Sequence, residues 1–310
     1  MPATRATRPD PAADVAAVTI DDPVEAVAAL APRVRAGGVL VVTGAGISTD
    51  SGIPDYRHPD GSSRHADPMT IDRFTGPVWE RQRYWARAHL GWSRIGEARP
   101  NASHRAVAAL ERAGFVHGVV TQNVDGLHRA AGSERVIDLH GRLDTVVCLS
   151  CDERRPRVEV GLRLAALNPG FADAVAAATA GADVHVPERP DGDVDLPDDL
   201  VAGFRIVACR ACGGTLKPDV VYFGEHVPRD RFATALSWLD EARTLLVLGS
   251  SLVVGSGFRF VTAARRRGAE VVIVNRGWTR GDRHADLKVD TSLADVLVPL
   301  ARELAGADVV

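Results

Sequence analysis

Apolar residues in this chain fall into short runs that polar residues scarcely interrupt, each closed by glycine or small polar residues. VLVVTGAG (39–46), FVHGVVT (115–121), RVIDL (135–139), TLLVLG (244–249) and EVVIVN (270–275) therefore read as strands, the long apolar ones buried on both faces. Between them the apolar period becomes helical. VEAVAALAPRVRAGG (24–38) is an amphipathic helix stopped by Gly37 and Gly38, residues 102–113 are Ala-rich and helical, and VTAARRRG (261–268) is a helix between the last two strands. The alternation predicts an α/β fold, a Rossmann-like doubly wound parallel sheet, with ligands held in the crevice beyond the strand carboxyl ends.

Two stretches break the alternation. Residues 58–101 are polar and then aromatic-rich (Trp79, Tyr84, Trp85, Trp92) and are expected to form a helical module. Residues 147–214 hold all four cysteines and an Ala/Asp/Pro/Gly-rich insert, and are expected to form a small zinc-binding module. Residues 1–18, with Pro2, Pro9, Pro11 and no period, read as a mobile tail. That leaves residues 19–57, 102–146 and 215–310 for the Rossmann-like ligand-binding domain.

Composition narrows the partners. The 310 residues carry 37 Lys plus Arg against 40 Asp plus Glu, a formal charge of -3, so no global positive field gathers phosphates and nucleic acid is not an expected partner. The arginine and alanine bias, with Lys217 and Lys288 the only lysines, is that of a GC-rich bacterial genome. No apolar run approaches the ~18 residues needed to cross a bilayer, and Asp14 interrupts the only Ala/Val stretch near the N-terminus. No membrane contact is expected, and the chain is read as cytoplasmic.

The candidate chemistry sits at strand ends. Gly44-Ala45-Gly46-Ile47-Ser48-Thr49 starts like the dinucleotide fingerprint, but Thr49 replaces its third glycine and the acidic residue expected ~20 positions on is not recognisable. A hydride-transferring dehydrogenase is therefore disfavoured. The turn is still expected to offer backbone N–H groups to a pyrophosphate, the alternative being a glycine turn with no ligand. Ile53-Pro54-Asp55-Tyr56-Arg57 follows, with an arginine suited to a forked pair with phosphate or to locking the loop over a ligand.

Gln122-Asn123-Val124-Asp125 suits a carboxamide and ribose hydroxyls, although such residues also serve as plain turn formers. Gly249-Ser250-Ser251 and Asn275 suit an adenosine. His140 follows the strand 135–139 and is either a general base or a bystander like His58, His65, His89, His185 and His284.

Cys148-x-x-Cys151 and Cys209-x-x-Cys212 form two knuckles. Four thiolates complete a tetrahedral zinc ion and leave no open position, so the expected site is structural; disulfides are the alternative. The 57 residues between the knuckles exceed the usual ribbon spacing and imply an inserted subdomain.

Taken together, GAGISTDSGIPDYR (44–57), TQNVDGLH (121–128), the LHG around His140, the two knuckles, KPDVVYFGE (217–225), GSS (249–251) and VNRG (274–277) resemble the sirtuin family of NAD-dependent protein lysine deacylases over roughly residues 30–295. The insert with PDGDV (190–194) and RQRYWARAHLGW (81–92) resemble its class II branch. The resemblance implies NAD as cofactor, one structural Zn2+ and acyl-lysine proteins as substrates.

It also assigns residues. Ala45, Ile53 and Asp125 would line a nicotinamide pocket beside Gly44, Gly46 and Val124, with Asp125 taking the carboxamide. Ser48, Gln122 and Asn123 would face the ribose and an ordered water. Asp55, Tyr56 and Arg57 would belong to a mobile cofactor loop, and Gly249, Ser250, Ser251, Asn275, Arg276, Gly277 and Leu293 to the adenosine side. Val221, Phe223, Gly224 and Glu225 resemble a strand that pairs with the substrate peptide.

His140 and Asn123 are the implied catalytic residues. NAD would be consumed rather than reduced: the acyl oxygen attacks the ribose carbon, nicotinamide leaves, His140 accepts a proton from the ribose hydroxyls, and water releases lysine and O-acyl-ADP-ribose. Mono-ADP-ribosyl transfer to protein and a non-catalytic NAD-binding interaction module are the alternatives. Tyr84-x-x-Arg87 has the spacing of an acidic-acyl pocket but is expected to lie on a helix surface.

Overall fold

The structure is a computed structural model that describes residues 17–64, 68–179, 196 and 198–306. β1 (Thr19–Ile20) leads into α1 (Pro23–Arg35). Asp22 sets the start of that helix: its carboxylate accepts the Glu25 N–H at 2.8 Å, and Pro23 occupies a position where no N–H is needed. α1 feeds β2 (Val39–Thr43), which is buried at every residue.

After the glycine turn the chain leaves the sheet for α2 (Ile71–Thr75) and α3 (Val78–Glu97), and returns through α4 (Ala102–Arg112) into β3 (Val116–Thr121). α5 (Leu127–Ala130) precedes β4 (Val136–Asp138). The chain then crosses to β5 (Gly141–Cys148) and β6 (Arg154–Pro156), passes α6 (Arg157–Leu167), α7 (Phe171–Thr179) and α8 (Asp198–Val201), and enters β7 (Leu216–Val220). It ends through α9 (Arg229–Ser237), β8 (Thr244–Leu248), α10 (Gly255–Arg267), β9 (Glu270–Val274), β10 (Leu287–Val289) and α11 (Leu293–Ala305).

The main sheet is parallel throughout, in the order β1-β10-β9-β8-β2-β3-β4. The chain winds from β2 outward through β3 and β4 on one side, and from β8 through β9 and β10 on the other. The switch point lies between Thr43 and Leu248, which are register partners at the carboxyl ends. Successive side chains take opposite faces, so Val41, Val119 and Leu246 pack with α1, α4 and α11 while Leu40, Val42 and Val247 pack with α9 and α10. Burial on both faces explains the uninterrupted apolar runs. Truncating a residue such as Leu246 to Ala would cost about 2–5 kcal/mol.

The second sheet, β6-β5-β7, is antiparallel. Its core joins Phe74, Tyr84 and Trp85 to Leu143, Val146, Leu164 and Val220. The stretch 58–101 and the cysteine region, read from the sequence as two modules, therefore share one core. Gly141–Val146 and Leu216–Val220, read as parts of the NAD-binding domain, belong to this second sheet instead.

Tyr84 and Arg87 are 1% and 5% exposed, which corrects their reading as helix surface: α3 is wrapped by its neighbours on more than one side. Ala17 and Val18, read as tail, bond to the sheet edge through Ala17 N–H to the Ala285 carbonyl and the Val18 carbonyl to Lys288 N–H. Residues 1–16 and PDGDV (190–194) lie outside the described residues.

Candidate active site

The glycine turn packs closely against the loop that follows β8. After Gly44 the chain winds into two 3-10 turns, Ala45–Ile47 and Thr49–Ser51. Gly44 N–H donates to Leu248, Gly46 N–H to Gly249, Ile47 N–H to Gly44 and Ser48 N–H to Ala45, whereas Ala45 N–H has no acceptor among the described residues. The glycines serve a close approach of two loops. A Cβ on Gly44 would lie 2.7 Å from Ser250 Cβ, and one on Gly249, at φ +59°, 2.5 Å from Ile47 N. Across that contact the N–H groups of Ser250 and Ser251 have no acceptor among the described residues.

Beside the turn lies a polar cluster from the end of β3. Ser48 Oγ–H donates to Asp125 Oδ2 at 2.7 Å, and Asn123 Nδ2–H donates to Ser48 Oγ and to the Gly44 carbonyl, both at 3.0 Å. Leu127 N–H donates to the other Asp125 oxygen. Burial raises the Asp125 pKa despite these donors. Gln122 Nε2–H bridges to Ser250 Oγ at 2.8 Å, tying β3 to the loop after β8. The cap of α4 also reaches the turn, through Asn101 Nδ2–H to the Ile47 carbonyl and Ser51 Oγ.

His140 occupies the crossing between the two sheets. The chain turns there because Gly141, at φ +81°, has the Asp219 carbonyl 1.9 Å from where a Cβ would stand. His140 Nδ1 lies 2.9 Å from the Gln122 carbonyl, which can only accept, so Nδ1 carries the proton. Nε2 is then an acceptor and takes Ser256 Oγ–H at 2.8 Å. Burial lowers the His140 pKa, with the Arg231 guanidinium adding to it against the Gln122 carbonyl, so the ring is neutral at pH 7.

The loop after Ile53 folds over this region. Arg57 Nη1–H donates to the Gly61 carbonyl at 2.9 Å, and Asp55 pairs with Arg64 at 2.6 Å. Trp278 N–H donates to the Pro59 carbonyl, and a Cβ on Gly61 would lie 2.8 Å from the Trp278 ring.

The four cysteine Sγ atoms lie within 4.8 Å of one another, Cys148 to Cys212 at 3.5 Å and Cys151 to Cys209 at 3.8 Å. Tetrahedral zinc with bonds of ~2.3 Å needs sulfur separations of about 3.8 Å. The four residues fit one structural Zn2+, close their shell without a vacant position, and lie apart from the His140 cavity.

A description of the Sir2 family matches residues 44–256. A chain from Streptomyces coelicolor named NAD-dependent protein deacetylase 1 is 52% identical over 294 residues, 95% of this chain and 93% of that one. One of the same name from Mycobacterium avium is 53% identical over 280 residues, 90% of this chain and 95% of that one.

This chain belongs to the Sir2 family.

Solved Sir2 structures agree in fold. One described as the structural basis for the mechanism and regulation of Sir2 enzymes has a TM-score of 0.67 at 31% identity, covering 90% of this chain and 98% of that one. A Sir2 homologue in complex with NAD has a TM-score of 0.65 at 27% identity, covering 89% and 93%.

Within this Sir2 chain a cavity of about 2040 Å³ brings together His140, Asn123 and every residue expected to bind cofactor or peptide except Gly277, which instead packs under Pro59. Val221–Glu225 is corrected from a strand to an irregular segment: β7 ends at Val220, and the Phe223 carbonyl is taken by Ile71 N–H. Phe223 and Val254 both line the cavity and stay 44% and 40% exposed. Tyr84 and Arg87 do not line the cavity.

Sequence reasoning missed Ser256, Trp278, Thr291 and Ser292. Gly255-Ser256-Gly257, opening a helix just after a strand end, was the available signal for Ser256. Gly257 lets α10 approach Gln122, whose Oε1 lies 2.5 Å from the position of a Cβ.

Proposed function

We propose that this Sir2-family chain is an NAD-dependent protein lysine deacylase that releases nicotinamide, free lysine and O-acyl-ADP-ribose. The observation that carries the reading is the neutral His140 ring, which lines the same cavity as the Ser48, Asn123 and Asp125 cluster. A binding module needs no such base. The names of the relatives at 52–53% identity support the same reading.

The residues present fit NAD. Ala45, Ile53 and Asp125 would hold the nicotinamide end, with Ser48 keeping the Asp125 carboxyl turned to the carboxamide. The N–H groups of Ala45, Ser250 and Ser251, with Arg57 on the covering loop, would meet the pyrophosphate. Asn275, Arg276 and Leu293 would take the adenosine side. When bound, NAD supplies a ribose carbon activated by its nicotinamide leaving group, and the ADP-ribose that accepts the acyl chain.

The chain's own residues do the rest. The peptide would lie between Phe223-Gly224 and Val254-Gly255, so that the acyl-lysine enters the cavity between the two sheets. Asn123, tied to Ser48 and the Gly44 carbonyl, orients the ribose and an attacking water. His140 takes a hydroxyl proton at Nε2 once Ser256 yields that position, and the Gln122 carbonyl steadies the imidazolium through Nδ1–H. Such a base contributes about 10²–10⁴-fold in rate.

The test is incubation with NAD and an acetyl-lysine peptide, with mass spectrometry of both products. Deacylated peptide together with O-acetyl-ADP-ribose is the expected result. ADP-ribosylated protein without peptide deacylation would establish the transferase reading instead.

A further inference from the structure

The cavity that holds His140 is also lined by α9 and the first turns of α10, which form one lobe of its wall. On α9, Arg229, Phe232 and Leu236 follow one another at i, i+3 and i+7 and share the face that lines it. On α10, Arg259 lies three residues after Ser256, hence on the face that presents the Ser256 hydroxyl to His140. The two helices meet where the Arg259 guanidinium sits 5.5 Å from the Phe232 ring. The lobe thus has an apolar floor with guanidinium groups at its rim.

Its charge is not neutralised from within. Neither Arg229 nor Arg259 pairs with a carboxylate of the described residues, whereas Arg33, Arg73, Arg129, Arg154, Arg265 and Arg267 all do. The nearby acid Glu225 is already committed to Lys217 at 2.9 Å and to Tyr222 N–H. The positive field of Arg231 reaches the His140 ring. α10 also begins without a side-chain cap, at Val254, and with no acid in its first turn, which adds to the same sign, whereas Asp230 offsets the start of α9.

We infer that this lobe is a specificity subsite for an acidic side chain flanking the acyl-lysine, with Arg229 and Arg259 as the residues that read it. The inference rests on the deacylase reading above. Arg229 and Arg259 are exposed at the rim, where the peptide on either side of the acyl-lysine must pass, while the acyl carbon has to reach half-buried His140 below them. A carboxylate on the peptide flank meets both guanidiniums there, and its methylene stem covers Phe232 and Leu236. The reading therefore favours an acidic flank over a carboxylate carried by the acyl group itself.

The experiment compares acetyl-lysine peptides that differ only in carrying Glu, Gln or Lys within two residues of the acetyl-lysine. The Glu peptide should show kcat/KM at least about fivefold above the Lys peptide at low salt, mostly through KM, with the gap narrowing as salt is raised. In the R229Q/R259Q variant the Glu and Lys peptides should converge, KM for the Glu peptide rising while its kcat moves less than about twofold. Equal kcat/KM for the three peptides, or a preference that survives both substitutions, would overturn the inference and leave the deacylase reading intact. No turnover of any peptide would overturn that reading itself. A variant that loses succinyl-lysine turnover while keeping its flank preference would place the acyl carboxylate in the lobe and refute the assignment.

Discussion

His140 Nε2 lies 2.8 Å from Ser256 Oγ, and this contact defines the protonation state on which catalysis depends. With Nδ1–H directed at the Gln122 carbonyl, Nε2 must be unprotonated to accept the serine hydroxyl. The base form is the active form, and burial followed by Arg231 holds its pKa below the usual 6.5. The acid limb of the kcat/KM profile should therefore have its midpoint below the usual 6.5 of a free imidazole. Arg231→Gln removes a neighbouring positive charge, so its acid limb should move to higher pH. A limb that stays put would separate Arg231 from the base.

The cysteine cluster joins β5 to the loop before β7, so its metal acts on the second core rather than on the chemistry. Zinc removal with a strong chelator should abolish activity together with the near-ultraviolet signal of Trp85 and its neighbours, while the main sheet keeps its parallel-strand signature. Readdition of Zn2+ should restore both. Activity persisting in protein shown to be metal-free would refute a structural role for Cys148, Cys151, Cys209 and Cys212.

Stability should fall in acid because of a buried histidine pair. His104 and His128 meet edge to face at 4.9 Å, and burial pushes His104 down to about 4 and His128 well below 6.5. Unfolded histidines bind protons from about pH 6.5 downward, whereas folded His104 resists until about pH 4. Its contribution is therefore whole above 6.5, shrinks between 6.5 and 4, and is gone below, a span of roughly 3 kcal/mol. Asp125, raised by burial, works in the opposite sense. Denaturant titrations should show a shallower loss over that window in His104→Gln than in the parent, and parallel curves would contradict the assignment.

The parts legible in the sequence were those with a one-dimensional signature. Runs such as TLLVLG are continuous because helices cover both faces of the strand, and paired cysteines announce a metal by spacing alone. β1 and β10, two and three residues long, are too short to show any period. The close approach of Gly44 and Gly46 to Gly249 was hidden because a sequence does not say which loop a glycine makes room for. Ser256 carried no signal beyond two flanking glycines, since its role comes from His140, 116 positions away in the chain. The shared core of α3 and β5 was hidden for the same reason: apolar pattern identifies a buried face but not what buries it.

The chain has two lysines, and both are buried at 3% exposure in ion pairs, Lys217 with Glu225 at 2.9 Å and Lys288 with Asp282 at 3.3 Å. A protein that strips acyl-lysine on this account presents no reactive lysine of its own. Treatment of the native protein with acetyl phosphate should leave both unmodified, and denaturation should expose them. Acetylation of either one in the native state would contradict the packing described here.

The most direct measurement is the stoichiometry of nicotinamide release against lysine deacylation, in the parent protein and in His140→Ala. One nicotinamide per acyl group removed, no absorbance from NADH, and a loss of about 10²-fold or more in a folded, zinc-replete His140→Ala variant are predicted. Deacylation without nicotinamide, or near-normal turnover in the variant, would contradict the account.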